Sequence, residues 1–373
     1  MTDYPFEIKH PTHWNLTHLH GLNTRLHATH AHFQDPRLDA KVSWSERRHR
    51  KGRRVKVHEH PEKVRVHRHW PRLWGFELSN ISWWVAQLFT WGSAVWCVNG
   101  WYSLFPLSNE VTSANIVGWT ALVGGTLFEA GAYAMVVEAL NRGHTVRFGY
   151  EVRKELGAGL KDLRKVRGSG AYSLTELADK LLPEGGWDGG GESSNGDVGM
   201  NGHGEQPRAA KDDAQRNQSS EAAAAQKWKW WGYRWHDLGY IASFITFCGA
   251  SIFWISTITG VPGVLPNEAT HIAEWDILFW FPQVLGSCCF ITAAILFMLE
   301  TQDSWWRIKP FDLGWNVGFW NLVGGLGFWL CGFFGFFAYP EGKYQRWGMS
   351  CSTFWGAWAF LLGSYIQLIE MLN

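Results

Sequence analysis

The six longest apolar stretches of this 373-residue chain contain no His, Lys or Arg. Haem held between helices needs axial His ligands, and membrane di-iron enzymes need His clusters beside their spans, so this absence argues against both classes. The sequence also has no phosphate-binding Gly loop and no nucleophile elbow. Its six cysteines follow no zinc or disulfide spacing, and we interpret them as small packing residues. We therefore predict no cofactor.

Six stretches of roughly 20 apolar residues are the dominant feature of the sequence. A helix that rises ~1.5 Å per residue needs about that length to cross ~30 Å of hydrocarbon. We therefore expect an all-α polytopic membrane protein with six transmembrane helices. The first thirty residues are polar and lack an apolar core, so we expect no secretory leader. The predicted spans are 81–101, 116–140, 238–258, 277–299, 317–337 and 353–372.

Positive charge is unevenly distributed between the connecting segments. Residues 102–115 and 259–276 contain no Lys or Arg, whereas basic residues flank the opposite ends of the spans. The loop at 338–352 is an exception, because it contains Lys343 and Arg346. Because Lys and Arg accumulate in cytoplasmic loops, both termini are predicted to face the cytosol. Tryptophans cluster before the first, third and fifth spans, a distribution typical of anchoring at the surface of the lipid bilayer.

The N-terminal region, residues 1–75, is a basic, His-rich arm. Residues 1–72 hold 15 Lys or Arg against 7 Asp or Glu, together with 12 of the 16 His. We expect the arm to bind anionic lipid headgroups at the cytosolic surface, and we expect no nucleic acid partner. Alternating valines on both sides of Pro61 predict a hairpin that turns there. Four imidazoles on one face of that hairpin form a weak candidate site for Zn²⁺ or Cu²⁺, namely His58, His60, His67 and His69.

A long insertion separates the second and third spans. Residues 142–183 mix charge with apolar periodicity, and Ser173-Leu-Thr-Glu176 is a capping box that predicts a short helix ending near Leu182. Residues 184–226 are rich in Gly, Ser, Asn and Ala, a composition that cannot bury a core and predicts a disordered linker. The insertion is a candidate binding region for a protein partner. The remaining segments are three hairpins at 76–141, 227–303 and 304–373.

An internal repeat emerges when the spans are arranged as three tandem helical hairpins. In each return helix a Gly stands four residues before a Phe and 14 before a Glu, and in each outbound helix a Gly stands four before an aromatic residue. At ~100° per residue these positions share one stripe of the helix. We favour close helix packing as the explanation, with a ligand-lining ring as the alternative. The pairs are Gly92 and Trp96, Gly124 and Phe128, Gly249 and Phe253, Gly286 and Phe290, Gly324 and Phe328, and Gly356 and Phe360.

Each return helix ends near a carboxylate, at Glu138, Glu300 or Glu370. An acid at a helix C-terminus faces the negative end of the helix dipole, so a cationic partner stabilises it. One interpretation is structural, with these acids binding Arg, Lys or Trp N–H groups and locking hairpin to hairpin. The other is a ring of carboxylates, joined by Asp237 and Asp312, at the mouth of a cation pathway. The two aspartates also stand where helix N-caps are expected.

Glu129 lies in the middle of the second span, and its counterparts in the repeat are Ile291 and Leu361. The repeat therefore does not require an acid there, and an ionisable residue at this depth is a functional candidate by default. One interpretation is proton or cation coupling at Glu129. The other is a neutral carboxyl hydrogen-bonded to an amide side chain, for which the candidates are Asn321, Gln87 and Gln283.

The hairpin pattern resembles a known family. Gly-Gly-Thr-Leu-Phe from Gly124, Gly-Ala-Ser-Ile-Phe from Gly249 and Leu-Leu-Gly-Ser-Tyr from Leu361 are similar to the two-helix YrhK-like membrane domain. They are also similar to uncharacterised multi-pass membrane proteins of filamentous fungi. The resemblance covers the six spans and leaves the arm and the insertion unmatched. It implies a membrane location and brings no catalytic residues.

Three hypotheses for the function remain open. A transporter or pore for ions, protons or small molecules uses Glu129 and the terminal carboxylates, and it predicts a water-accessible cavity that reaches Glu129. A membrane scaffold or accessory protein recruits partners through the arm and the insertion, and it predicts that Glu129→Gln leaves function intact. A membrane-embedded enzyme is the third hypothesis, and it needs a polar pocket that the spans do not supply.

Overall fold

The computed structural model describes residues 29–35, 40–51, 56–58, 72–167, 227–302, 305–338 and 342–373. Within the arm, strands β1 (His30–Asp35), β2 (Ala40–Ser45) and β3 (Lys56–His58) form an antiparallel sheet in the order β1-β2-β3. The five-residue helix α1 (Glu46–Arg50) follows β2 directly. The predicted hairpin pairs β3 with residues 64–66, which lie outside the described residues. In the structure β3 pairs with β2.

Six long helices occupy the six predicted apolar stretches. They are α2 (Ile81–Leu104), α3 (Glu110–Leu140) and, after α4 (Phe148–Arg167), α5 (Leu238–Thr259), α7 (Phe281–Thr301), α8 (Leu313–Gly335) and α9 (Lys343–Leu372). A short helix α6 (Ile272–Trp275) and a π-helical turn (Asp276–Trp280) lead into α7. Helices α3 and α9 begin earlier than predicted. A formed helix extends by one hydrogen bond per residue into polar sequence, so an apolar run marks its buried part rather than its end.

Four helical segments are long and apolar enough to cross a membrane, namely Glu110–Leu140, Leu238–Thr259, Ile272–Thr301 and Leu313–Gly335. Large apolar side chains are exposed along all four, for example Val123, Ile255, Ile295 and Leu326. Such a surface is unfavourable in water and favourable in hydrocarbon. The chain is therefore a membrane-embedded protein.

Short polar side chains begin several of these helices. The Asn80 side-chain oxygen accepts a hydrogen bond from the Ser82 backbone N–H at 3.0 Å, and an Asp312 oxygen accepts one from the Trp315 N–H at 3.1 Å. These bonds satisfy N–H groups that have no partner within the helix. Asp237 holds the same position before α5 but makes no such cap, because its carboxylate pairs with arginines instead.

The six long helices close into a ring. Consecutive helices pack as the pairs α2 with α3, α5 with α7, and α8 with α9. The pairs are joined by α3 against α5, α7 against α8, and α9 against α2. Each long helix therefore has two principal neighbours, and one face of every helix points toward a shared axis.

Six aromatic side chains, one from each long helix, meet on that axis. They are between 2% and 8% exposed, and neighbouring ring centroids lie 4.9 to 6.2 Å apart, mostly edge to face. Edge-to-face pairs contribute about 0.5–1.5 kcal/mol each beyond the burial of their area. The rings belong to Trp96, Phe128, Phe253, Phe290, Phe328 and Phe360, which are the aromatic residues of the sequence repeat.

The repeat glycines make room for these rings on the paired helix. A Cβ added at Gly92 would lie 2.6 Å from the Phe128 ring, and one at Gly124 would lie 2.7 Å from Trp96 Nε1. In the other two pairs only Gly324 meets a ring as closely, and at Gly286 and Gly356 the nearest atoms belong to the backbone of the paired helix. A Cβ added at Gly324 would lie 2.6 Å from the Phe360 ring, and one at Gly356 would lie 3.3 Å from the Phe328 ring. At Gly286 the added Cβ would lie 2.8 Å from Phe253. At Gly249 it would lie 2.6 Å from Cys289 and 3.5 Å from Phe290.

The described residues fall into two compact units. One is Met1–Tyr150 with Trp231–Asn373, which contains the ring and the arm, and the other is Glu151–Trp230. In the second unit the described residues are most of α4 and the segment 227–230, where the Trp228 and Trp230 rings touch edge to face. The predicted capping box at Ser173 and the predicted linker lie outside the described residues.

Candidate functional site

The three carboxylates near the ends of α3, α7 and α9 converge at one end of the ring. Glu138 and Glu300 are only 2% and 1% exposed, and Glu370 is largely buried as well. Buried carboxylates need cations or hydrogen-bond donors, since an unpaired buried charge is costly. The structure supplies these partners to Glu300 and Glu370 from the N-terminal arm.

Helix α1 packs its cations against two of these acids. Arg50 makes a two-pronged contact with Glu300, from Nη1 to Oε1 at 2.7 Å and from Nη2 to Oε2 at 3.0 Å. Arg47 binds Glu370 in the same way at 2.7 and 2.8 Å, and its Nη1 also lies 3.7 Å from Glu300. The Lys51 ammonium donates to Glu370 as well. The arm therefore ties the end of α7 to the end of α9.

A glycine makes room for each guanidinium. A Cβ added at Gly239 would lie 1.5 Å from Arg50 Nη1, and one at Gly314 would lie 2.7 Å from Arg47 Nε. Both glycines stand two residues after an aspartate that begins a helix, in the matching tripeptides Asp237-Leu-Gly and Asp312-Leu-Gly. We call Glu300, Glu370, Gly239 and Gly314 the acidic socket.

The acid near the end of α3 has a partner from the bundle itself. Position 82 corresponds to Gly239 and Gly314, and it is a serine. The Ser82 hydroxyl donates a 2.6 Å hydrogen bond to Glu138. A side chain of the bundle itself therefore partners the first acid, whereas the other two acids are partnered by the arm.

The charges in the socket perturb the arm residues. Burial alone disfavours the charged form of Arg47, but Glu370 and then Glu300 outweigh it and raise the pKa of this guanidinium. Burial lowers the pKa of Lys51, and Glu370 offsets only part of that shift. The two guanidinium groups also lie 6.0 and 5.9 Å from the centre of the Phe297 ring. A ring face at this distance adds a favourable cation–π contact.

A second set of polar contacts holds the start of α1. Arg142 Nη1 lies 3.3 Å from Glu46 and 3.1 Å from Asp237, and Asp237 also pairs with Arg234 at 3.2 Å. The backbone N–H of Gly143 donates to the His49 carbonyl at 3.1 Å. Gly143 has φ +79°, a left-handed conformation that favours glycine. The loop after α3 therefore receives α1 through both side chains and backbone.

Sequence reasoning places the terminal acids but misses Arg47, Arg50 and Lys51. The available signal is a mismatch of charge, because three helix-terminal acids have few cations near them in the sequence while Ser45-Glu-Arg-Arg-His-Arg-Lys51 concentrates four. The arginines at 47 and 50 are three residues apart, so a single turn of helix places both on one face. The composition of the arm by itself predicts that these cations bind anionic lipid headgroups.

Glu129 lies where α3 packs against α5. Its Oε1 accepts a 2.9 Å hydrogen bond from the Ser251 hydroxyl, so the partner is this serine and not one of the three predicted amides. The three amides were the wrong partners, because the periodicity of a span does not show which helices pack side by side. The Trp254 indole N–H also donates to Thr126 at 3.0 Å across the same seam. Among the described residues, Glu129 Oε2 has no hydrogen-bond partner.

The weak metal site is largely outside the described part of the chain. His58 belongs to β3, while His60, His67 and His69 are not among the described residues. Within the described ranges, no group of three or more His, Cys, Asp or Glu side chains is arranged to hold a metal ion.

An open groove runs along the outside of the ring between α2, α8 and α9. It has a volume of about 600 Å³. Its walls are almost entirely apolar, so it fits hydrocarbon rather than a polar substrate. The residues that line it include Thr90, Trp320, Trp355, Trp358 and Tyr365.

Comparison with known proteins returned no relative. No protein-family model, no curated protein and no solved structure matches the chain.

Proposed function

We propose that this membrane-embedded protein is a non-catalytic scaffold whose helical ring does not conduct. The observation that supports the proposal is the filled axis, where six aromatic rings from six helices pack against one another. A transport path needs a polar or hydrated route at that depth. The rings instead occupy the place where such a route would run. A scaffold needs only a stable ring and cytosolic segments that partners can bind.

The proposal includes a membrane topology. We place six spans in the bilayer as three tandem hairpins, with both termini and the acidic socket on the cytosolic side. The absence of Lys and Arg from residues 102–115 and 259–276 supports this orientation. Helices α2 and α9 are not among the four described segments that are long and apolar enough to cross a membrane, but both close the ring against them. We also propose that the three hairpins are copies of one ancestral hairpin, and that this hairpin is related to the two-helix YrhK-like membrane domain.

Partners of the scaffold bind through the arm and the insertion. The arm carries 15 Lys or Arg up to residue 72, and only Arg47, Arg50 and Lys51 contact the acids of the socket in the described structure. Anionic lipid headgroups are the proposed partners of the basic residues outside residues 46–51. A protein partner is proposed for the insertion.

Proton or cation transport through Glu129 is the second candidate function. The observation that favours it is the carboxyl group itself, which lies within an apolar helix and leaves one oxygen without a partner among the described residues. Ionisable residues at such positions commonly mark ion or proton paths.

Flux measurements on reconstituted protein separate the two functions. The wild type, Glu129→Gln and Ser251→Ala are placed in liposomes that contain a pH-sensitive dye, and proton and K⁺ gradients are applied. The scaffold predicts the same leak for all three proteins as for protein-free liposomes. Ser251→Ala is the matched control, since it removes the hydrogen bond but keeps the carboxyl.

Flux in the wild type would contradict the scaffold. A flux that Glu129→Gln abolishes while Ser251→Ala retains it would establish the second candidate. A flux of equal size in all three proteins would show conduction by a route that does not use Glu129, and it would overturn both candidates.

A further inference from the structure

We propose that the acidic socket is a recognition site for a basic peptide with the pattern Arg-x-x-Arg-Lys, and that residues 46–51 are its tethered, exchangeable ligand. This inference goes beyond the scaffold, because the socket exists whether or not the ring conducts. It assigns a ligand class to one end of the bundle.

The socket is shaped for arginine in particular. Each of the two carboxylates receives a guanidinium through two parallel N–H···O bonds, at 2.7 and 3.0 Å for Glu300 and at 2.7 and 2.8 Å for Glu370. This paired geometry matches the planar fork of arginine and not the single ammonium of lysine. Gly239 and Gly314 complete the fit, because any side chain there would occupy the space of a guanidinium.

The first hairpin shows what the same position looks like without a peptide site. There Ser82 replaces the glycine and its hydroxyl binds Glu138 directly. Three similar helix ends thus divide into one whose acid has a hydrogen-bond donor within the bundle and two whose acids bind the arginines of the arm. The latter two ends are joined by one peptide, whose Arg47 and Arg50 are three residues apart.

The tethered ligand also contains a feature that weakens its own binding. Glu46 is buried beside the acids Glu300 and Asp237, and burial followed by these two charges raises its pKa to about 8. Its Oε2 accepts no hydrogen bond from the described residues. A peptide with the same arginines but without this carboxyl avoids that cost, so it competes with the arm for the socket.

A competition experiment on the full-length protein in lipid nanodiscs tests the proposal. The probe is a fluorescent peptide with the sequence of residues 40–51 and the change E46Q. The control peptide carries R47K and R50K in addition, so its net charge is the same but both guanidinium forks are lost. Binding is followed by fluorescence anisotropy, and hydrogen exchange of the chain's own 46–51 segment is followed by mass spectrometry.

We expect the E46Q peptide to bind and to accelerate exchange of the chain's own segment by about tenfold or more, since each charge-assisted contact that is replaced is strong. The control peptide should bind at least about tenfold more weakly, because lysine cannot make the paired bonds. Equal binding of both peptides would show that the socket responds to charge alone and would overturn the proposal. Failure of the E46Q peptide to bind or to displace the arm would overturn it as well.

Variants of Gly239 and Gly314 test the arginine-binding space of the socket without an added peptide. Gly239→Ala and Gly314→Ala should each accelerate exchange of residues 46–51 while the core of the ring stays protected. Gly157→Ala is the control, because nothing lies within 4 Å of a Cβ there. Unchanged protection of residues 46–51 in both Gly239→Ala and Gly314→Ala would contradict an arginine-binding site at these glycines. None of these outcomes depends on the flux measurements.

Discussion

Glu46 shows how burial among like charges changes a single side chain. It is 2% exposed, and its charge interacts with the acids Glu300 and Asp237 and with the cations Arg50 and Arg142. Burial and the two acids dominate, so the pKa rises from 4.5 to about 8. At neutral pH the docked side chain is therefore mostly protonated.

This shift predicts that docking of the arm weakens at alkaline pH. An acid with a raised pKa in the docked state favours docking fully below its ordinary value of 4.5, and that contribution is lost as pH rises to about 8. Lys51, whose pKa is lowered, acts with the opposite sign. Between pH 6 and pH 9 the protection factors of residues 46–51 should fall in the wild type, measured by hydrogen exchange corrected for intrinsic rates.

Glu46→Gln isolates the contribution of this carboxyl. The amide cannot ionise but still accepts from Arg142, so the fall in protection should disappear or become much smaller. Any pH dependence that remains then comes from groups other than this carboxyl, Lys51 among them. A wild-type arm whose protection stays constant from pH 6 to pH 9 would contradict the predicted role of Glu46.

The elements of this protein differ in what holds them together. Helix α1 has five residues, well below the ~12–15 that an isolated helix needs in water, so its conformation depends on its contacts with the ring. The long helices are stable as individual elements in hydrocarbon, because every interior backbone group is paired within the helix. Their association depends on shape, which is the role of the glycines and the aromatic rings.

The fit between Gly92 and Phe128 predicts a graded effect of added methyl groups. Gly92→Ala brings a Cβ to 2.6 Å from a ring that is itself enclosed by other rings, so the ring cannot move aside freely. We expect a loss of about 1–3 kcal/mol in the free energy of unfolding, as for overpacked cores. It should appear in denaturant titrations of the protein in detergent micelles.

Gly131→Ala on helix α3 is the comparison for this experiment. Its Cβ would meet the Phe89 ring at 3.2 Å, and Phe89 lies at the margin of the core and can yield by a few tenths of an ångström. The loss should therefore be smaller than for Gly92→Ala. Equal losses for the two variants would mean that the central rings are not tightly interlocked.

At the scale of the whole molecule, ion pairs connect segments that are far apart in the sequence. Arg50 and Glu300 are separated by 250 residues, and Arg47 and Glu370 by 323. The contacts are buried, so removing Arg50 leaves Glu300, among the described residues, with only the longer 3.7 Å contact to Arg47. The N-terminal arm is in this sense a part of the membrane-embedded bundle.

A double-mutant cycle measures this connection. Arg50→Gln should destabilise the protein by about 3–5 kcal/mol, because the buried Glu300 charge then keeps only the 3.7 Å contact with Arg47 within the described part of the chain. Glu300→Gln added to it should restore part of that loss, since the unpaired charge is then absent. The control is Lys154→Gln at an exposed site, with an expected change within about 0.5 kcal/mol.

The cycle uses the midpoint of thermal unfolding in detergent as its measurement. Strict additivity of Arg50→Gln and Glu300→Gln would contradict a direct interaction between the two side chains. A variant as stable as the wild type after Arg50→Gln alone would show that the arm is not bound to the ring.

The sequence by itself determined where the long helices lie and which residues line their inner faces. Span length depends on the thickness of the hydrocarbon layer, and the stripe of Gly and aromatic residues depends on the turn of the helix, so both are local properties. The same local spacing placed Glu138, Glu300 and Glu370 near the ends of three helices. These inferences needed no knowledge of which helices touch.

Only the tertiary structure decided the partners. It selected Ser251 for Glu129, Ser82 for Glu138, and the arm for Glu300 and Glu370. The physical reason is that such contacts depend on the order of the helices in the ring and on the close approach of Arg50 to Gly239 and of Arg47 to Gly314. Composition describes the arm as a basic segment suited to lipid, while packing places three of its cations inside the protein.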